Sequence, residues 1–348
     1  MTTKTMKTTN ESTARTRGDK AEGIVQTDEA GIRLDRWFKR HFPQITHGQL
    51  QKWLRTGQVR LDGKRCESSA RLEEGQKLRL PPQLFSDPAL TKQEKAGKKP
   101  VRNEGKLKSL ILYEDDDVVA INKPAGLAVQ GGTGLKENLD DSLMVFSRDG
   151  ETRPKLVHRL DRETSGVLLI ARNDFAASRL TAAFRERTTQ KIYWALTSGV
   201  PNPPEGRIDA PLLKKGQIMA VADPQDEREN DSAKRALSLY QVLDSLPGQA
   251  AFVALWPLTG RTHQLRVHMA HIGTPIWGDP LYQTTDEAPI DLSNLNLGSG
   301  LHLHARQLII PHPRKGMIDV TAPLGPRLQQ TWRALGFSEK AKSDFDTL

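Results

Sequence analysis

The chain has one cysteine, Cys66, among 348 residues. That excludes an internal disulfide framework and any zinc site built from several thiolates, and it suits a reducing compartment. Long apolar runs are missing as well. No window of about 18 apolar residues occurs, so no membrane-spanning helix is expected. Aromatic residues make up 5% and hydrophobic residues 36% of the chain, with a mean hydropathy of −0.56. This is the profile of a soluble protein with a core and additional solvated length. The opening MTTKTMKTTNESTARTRG has no apolar centre, which argues against a secretory signal, and Glu11 and Asp19 do not suit an organelle transit peptide. A disordered tail over residues 1–27 and a cytoplasmic protein are the expectations.

Charge is present but unevenly placed. The formal net charge is +9, yet residues 1–108 carry 24 Lys and Arg against 13 Asp and Glu, a surplus of 11, and the remainder carries 27 against 29. A surplus confined to one end points to a polyanion partner held there, nucleic acid before others, with a basic solubility tail as the plainer alternative.

From Arg33 the apolar residues Leu34, Trp37 and Phe38 recur at helical spacing. A second helix is expected after Thr46, a possible N-cap, with Leu50, Trp53 and Leu54 on its apolar face and Gly57 at its stop. VRLDGKR then carries an Asp-Gly hairpin signal, and KLRLP reads as a strand. Lys52, Arg55, Arg60, Lys64 and Arg65 crowd this small unit over residues 28–83. Residues 84–107, with the polar run TKQEKAGKKPVRNEGK at their centre, read as a flexible basic linker. Beyond it, ILYEDDDVVAINKPAG gives strand, acidic turn, strand and a Pro-Gly loop. The body is expected to run over 108–335, with a polar tail over 336–348.

Within that body VHRLDRETSGVLLIAR places charged residues directly before an apolar run that reads as a buried strand. Asp161 stands between Arg159 and Arg162, whose charges would keep its carboxylate ionised and fit to act as base, ligand or nucleophile. From this window alone an ion-pair knot and a site both remain open. In QKIYWAL, Ile192, Trp194 and Leu196 share one strand face, and Lys191, Tyr193 and Ala195 the other. Tyr193 is thus a core residue or one that serves a pocket. LTGRTHQLRVHMAHIG opens with Thr262 as N-cap candidate and stops at Gly273, with His263 and Arg266 one turn apart.

HRLDRETSG, KIYWAL and GRTHQLRVH, in this order and preceded by NKPAG, resemble the motifs of the ribosomal large-subunit pseudouridine synthase family. AVQGGTGL and the LPP that ends the basic unit resemble the C subgroup of that family. GIRLDRWFKRH, LQKWLRTGQVRLDGKR and GQKLRL resemble the small S-four-type RNA-binding domain. The resemblance implies an α+β fold with a mixed, largely antiparallel central sheet and an active cleft across it. It implies Asp161 as catalytic carboxylate, Arg266 as its ion-pair partner (Arg261 being the alternative), and Tyr193 packed on the target base. Arg159 and His158 would meet the RNA strand, and Leu265 the base or Tyr193. Lys52, Arg55, Arg60 and Lys64 would be the RNA contacts of the N-terminal unit. The reaction implied needs no cofactor and no metal. The partner implied is large-subunit ribosomal RNA, with several uridines of 23S RNA as targets and a monomeric enzyme.

Two other readings compete with this one. The first is a catalytically inert RNA-binding or ribosome-assembly factor, and the second a synthase acting on another RNA such as tRNA. Six of the nine histidines fall at 263, 268, 271, 302, 304 and 312, but without an HExxH motif or nearby acidic ligands they do not make a metal site. GLAVQGGTGLK fails the phosphate-loop spacing and reads as a mobile loop.

Overall fold

The computed structural model describes residues 21–42, 45–86, 104–131, 138–186, 188–283 and 297–347. It divides into two units, residues 1–100 and 101–348. Among the described residues no helix is long and apolar enough to cross a membrane.

In the first unit, strand β1 (Ala21–Ile24) is followed by helices α1 (Leu34–His41) and α2 (His47–Arg55), strands β2 (Arg60–Leu61) and β3 (Lys77–Leu80), and a turn of helix α3 (Gln83–Ser86). The helical spacing does what it should: Leu34, Trp37 and Phe38 are buried against Leu50, Trp53 and Leu54. Thr46 caps α2 by accepting from the Gln49 N–H at 3.3 Å. Gly57 takes a left-handed φ of +70° at its end. Asp62 and Gly63 both have positive φ, as a two-residue hairpin turn requires. The sheet order is β1-β3-β2. The expected tail therefore ends earlier than residue 27: Ala21–Ile24 pair with β3, and Val25 is 1% exposed. A four-residue edge strand is too short to stand out from a polar sequence.

The second unit opens with α4 (Glu104–Lys108), inside the stretch read as linker. A large sheet is then built from β4 (Ile111–Glu114), β5 (Val118–Lys123), β6 (Lys155–Leu156) and β7 (Ser165–Ala171). Helix α5 (Asp174–Glu186) leads to β8 (Gln190–Ser198) and β9 (Glu205–Asp209). A separate hairpin of β10 (Leu212–Lys215) and β11 (Ile218–Val221) and helix α6 (Glu227–Ser232) come next. The chain continues through β12 (Leu237–Leu246), β13 (Ala250–Pro257), α7 (Gln264–His271), β14 (Leu303–Pro311), β15 (Met317–Thr321) and α8 (Pro326–Ala334). The sheet order is β4-β5-β7-β14-β8-β13-β12-β9, with β15 on β14 and β6 on β7. Among the described strand pairs of this sheet, β7–β14 alone is parallel. The fold is thus mixed α+β with a mostly antiparallel sheet.

Every residue of β7 is buried, as the unbroken apolar run requires. Val167, Leu169 and Ala171 face α5 through Ala176, Leu180 and Ala183, and Leu168 and Ile170 face Leu143 and Phe146 on the opposite side. The C-terminal segment does not fray as expected. Phe337 and Phe345 pack with Trp332 and Phe252, and the Asp344 N–H donates to Gln241 Oε1 at 2.9 Å. Two apolar anchors in an otherwise polar stretch are enough to hold it.

Candidate active site

Gly166 sits where the site is assembled. Its φ is +110°, and a Cβ there would lie 2.2 Å from the carbonyl oxygen of Ala305, so only glycine lets β7 and β14 approach this closely. Gly166 pairs with Ala305, Ala305 with Tyr193, and Tyr193 with Leu255. One row across four strands therefore sets Tyr193 two strands away from the loop that carries Asp161. Ser165 reinforces the crossing by donating its hydroxyl to His304 Nδ1 at 2.9 Å, while His304 Nε2 donates to the Ala322 carbonyl at 3.2 Å.

Lys123, the lysine of NKPAG, holds the Asp161 loop from beneath. Its side chain is fully buried. Its ammonium donates to the carbonyls of Pro124, Leu127 and Arg162 at 3.0, 2.9 and 3.0 Å, and the Gly126 N–H also donates to Arg162 O. Burial pulls its pKa down to about 8, against a smaller upward pull from Glu163 and Asp161. At the other end of the loop, His158 Nε2 accepts the Leu169 N–H at 2.8 Å and the ring stacks on Phe184. Burial first, then the charge of Lys191, lowers its pKa to about 3, so it is a neutral acceptor. His158 lines the cavity, but its ring nitrogen is committed to the loop. His158 thus anchors the start of the Asp161 loop to β7 while its ring lines the cavity.

Asp161 and Tyr193 share a cavity of about 770 Å³, together with Arg159, Arg261, Leu265 and Arg266. Burial first, then the negative charge of Asp161, raises the Tyr193 pKa, so the phenol keeps its proton. Leu265 is 6% exposed and belongs to the apolar cluster against which Tyr193 packs. The two arginines that flank Asp161 in sequence differ in their surroundings. Arg162 pairs with Glu163 at 2.7 Å, and Arg159 is exposed.

The ion pair expected between Asp161 and Arg266, or Arg261, is not formed. Arg266 is 4% exposed and binds Asp279 at both carboxylate oxygens, 2.6 Å each. Its guanidinium lies 5.0 Å from the centre of the Tyr282 ring. Burial works to lower its pKa, but the bond to Asp279 and the charges of Asp279 and Asp161 outweigh it and the net shift is upward. Arg266 thus senses Asp161 across the cavity without bonding to it. Arg261 Nε donates to the Arg235 carbonyl at 3.1 Å.

Among the described residues, the basic group within 4 Å of the Asp161 carboxylate is His263, whose Nε2 lies 4.0 Å from Oδ2. His263, not Thr262, is the N-cap of α7 and has φ +53°. The Tyr282 hydroxyl accepts the Met219 N–H at 3.1 Å and lies 2.7 Å from His263 Nδ1. In the tautomer in which that hydroxyl donates to Nδ1, the Nε2 proton faces Asp161. Burial is the main cause of a lowered His263 pKa. Behind it, Gln264 accepts from Thr259 Oγ1 and the Arg261 N–H and donates to Leu237 O, which fixes the approach to α7.

Asp279 and Tyr282 were not picked out from sequence, and His263 was noted there only as a neighbour of Arg266 one turn away and among the histidines weighed for a metal. The signal available was WGDPLY: a lone Asp behind Gly278, whose φ is +72° and whose Cβ would meet Gly300 O at 2.1 Å. Of the other weighed histidines, His268, His302, His304 and His312 are bonded into the fold. His302 lies 2.8 Å from Gly300 O and 3.0 Å from Thr331 Oγ1 through its two nitrogens. Residues 132–136 of the segment GLAVQGGTGLK fall outside the described residues.

Lys52, Arg55, Arg60 and Lys64 belong to the first unit, not to this cavity. Lys52 and Arg55 lie in the last turn of α2. Arg60 donates to the Gly57 and Gly63 carbonyls at 3.3 and 3.1 Å, so part of its donor set is spent on the turn. A Cβ on Gly57 would meet both Arg60 and Arg65 within 3.9 Å, so the basic side chains converge at that helix end.

A carboxylate, a protonated phenol and an apolar wall around one cavity suit chemistry on an aromatic base attached to a sugar. Residues 117–271 match the family model described as RNA pseudouridylate synthase. Ribosomal large subunit pseudouridine synthase C of Vibrio vulnificus (strain CMCP6) is 34% identical over 90% of this chain and 96% of its own length. The chain belongs to the RNA pseudouridylate synthase family. The protein of the same name from Rickettsia bellii (strain RML369-C) is 36% identical over 82% of this synthase and 92% of its own length. A solved structure, Human RNA Pseudouridylate Synthase Domain Containing 4, is 32% identical with a TM-score of 0.59, covering 67% of this chain and 95% of that one. The family match spans Asp161, Tyr193 and Arg266. Asp279, which holds the arginine of this synthase, comes from beyond it.

Proposed function

We propose that this synthase converts uridines of large-subunit ribosomal RNA to pseudouridine in the cytoplasm, as a monomer, with Asp161 as the essential carboxylate. The observation that carries the reading is the placement of Asp161 and Tyr193 in one cavity, close enough that the carboxylate's charge raises the phenol's pKa. The names of the relatives from Vibrio vulnificus and Rickettsia bellii support the RNA class.

The isomerisation breaks the N1–C1′ bond, turns the uracil over, forms C5–C1′, removes the C5 proton and protonates N1. Nothing is oxidised and no group is imported. Asp161 supplies the carboxylate that acts at the ribose, as nucleophile or as base. Tyr193, with Leu265 behind it, gives the detached uracil a flat wall to turn against. Extruding a base costs a few kcal/mol, and stacking on an aromatic returns about 1–3 kcal/mol. Exposed Arg159 at the cavity wall suits contact with the strand around the extruded nucleotide. Arg266, locked by Asp279, contributes positive charge facing Asp161 without quenching the carboxylate in a direct bond. The first unit serves as an S-four-type RNA-binding module, with Lys52, Arg55, Arg60 and Lys64 on the phosphates.

The test is a carbodiimide map of pseudouridine in total RNA from cells lacking the protein and from cells given it back. Loss and recovery of discrete positions in large-subunit ribosomal RNA is the expected result. Changes confined to tRNA would move the substrate, and an unchanged map would favour an inert RNA-binding role.

A further inference from the structure

Thr189 and Lys191 line the same cavity as Asp161 and Tyr193, yet their polar ends are unclaimed. Thr189 is 7% exposed, and its buried Oγ1 has no hydrogen-bond partner among the described residues. Lys191 is partly buried on β8. Burial lowers its pKa, and no carboxylate lies near enough to offset it. Its ammonium reaches toward the loop before α7, 4.0 Å from where a Cβ of Gly260 would be, and its charge is felt by His158.

A buried hydroxyl without a partner and a half-buried ammonium in the lining of one cavity carry a desolvation cost that an anion would relieve. Lys191 and Tyr193 are alternate residues of β8 on one face, with Thr189 just before the strand, and alternate strand residues lie about 7 Å apart. An anion held by the first pair would therefore stand beside a base stacked on Tyr193. The cavity's own acid, Asp161, is on the loop before β7, not on this strand.

We propose that Thr189 and Lys191 form a phosphate subsite that binds a backbone phosphate flanking the extruded uridine. The inference rests on the synthase reading above. Its consequence is that the nucleotide is gripped at two points of one strand face: the base on Tyr193 and the phosphate on Lys191, with the sugar between them and toward Asp161.

The experiment is a coupling cycle on a synthetic oligoribonucleotide carrying a mapped target uridine, read on both affinity and turnover. One phosphate, 5′ or 3′ of that uridine, is replaced by an uncharged methylphosphonate. For the wild type, one of the two replacements should cost roughly 10–100-fold, the range expected for a hydrogen bond to a charged group. Lys191→Met should show that loss on unmodified RNA and no further loss on the same methylphosphonate RNA. Lys191→Arg should regain most of it, and Thr189→Val should give a smaller, likewise non-additive loss. Because the charge is removed from the RNA, the wild-type arm does not depend on a variant folding. Additive losses for both phosphates, or a wild type indifferent to both, would overturn the subsite. Coupling in affinity without any turnover would instead overturn the synthase reading and leave the subsite standing.

Discussion

Arg266 closes a bidentate pair with Asp279 rather than with Asp161, at 2.6 Å to each oxygen, with Asp279 fully buried. Asp279 also accepts the Leu281 N–H at 2.9 Å and lies 3.3 Å from the Tyr282 N–H. The arginine is thereby fixed by a partner outside the chemistry, and Asp161 is left free of a direct guanidinium bond.

Removing one member of such a pair leaves the other charge buried and unpaired. Asp279→Asn should cost about 3–5 kcal/mol of stability and reduce turnover well beyond its effect on RNA affinity. Urea unfolding and single-turnover kinetics check both. A variant with wild-type stability and rate would show that the pair does not organise the site.

Gly166→Ala tests the β7–β14 crossing. The added Cβ would meet the Ala305 carbonyl at 2.2 Å in a left-handed backbone, and backbone cannot swing aside as a flexible side chain can. Destabilisation of more than about 2 kcal/mol is expected. Gly126→Ala, also at positive φ but with nothing within 4 Å of its Cβ, should cost less, and thermal unfolding of the two variants ranks them.

Three fully buried histidines set the acid limit of stability. Burial lowers the pKa of His268, His302 and His304 to about 4 each, whereas an unfolded chain titrates near 6.5. Between those values the unfolded state binds more protons than the folded one. Stability is therefore complete above about pH 6.5 and falls as pH drops toward 4, by up to about 1.4 kcal/mol per pH unit for each histidine. Denaturant midpoints across that window should fall together with pH. His304→Gln should make the fall shallower, and a flat profile would contradict the assignment.

The first unit's role is read from salt. Lys52, Arg55 and Lys64 are exposed, and replacing all three by alanine should reduce the dependence of log affinity on log salt by about 2 for single-stranded RNA. Deletion of residues 1–83 should weaken binding and flatten the dependence further. Unchanged affinity and slope would remove the unit from RNA binding.

The elements that sequence revealed are those with a strong local period or a mandatory residue. The α1 and α2 stripes, the Asp62-Gly63 turn, the buried β7 and the two faces of β8 are local patterns, and each lies where its pattern puts it. Asp161 and Tyr193 came from motif resemblance, and they share a cavity because Gly166, Ala305 and Tyr193 lie in one cross-strand row. That row is a matter of register between segments over a hundred residues apart, which no local window carries. The same holds for Arg266. The resemblance offered it to Asp161, while its actual partner, Asp279, is brought in by the turn at Gly278. The anchoring bond of His158 was hidden for a related reason, since it depends on the Leu169 N–H across the loop.

The most direct test of Asp161 uses RNA labelled with tritium at uridine C5, because isomerisation must release that hydrogen. Wild type and Asp161→Asn would be compared for tritium release in a single turnover and for RNA affinity. Release should fall by roughly a thousand-fold or more, with affinity within a few-fold, since the substitution keeps shape and removes only the carboxylate's charge. Release by Asp161→Asn at the wild-type rate would contradict the role given to Asp161.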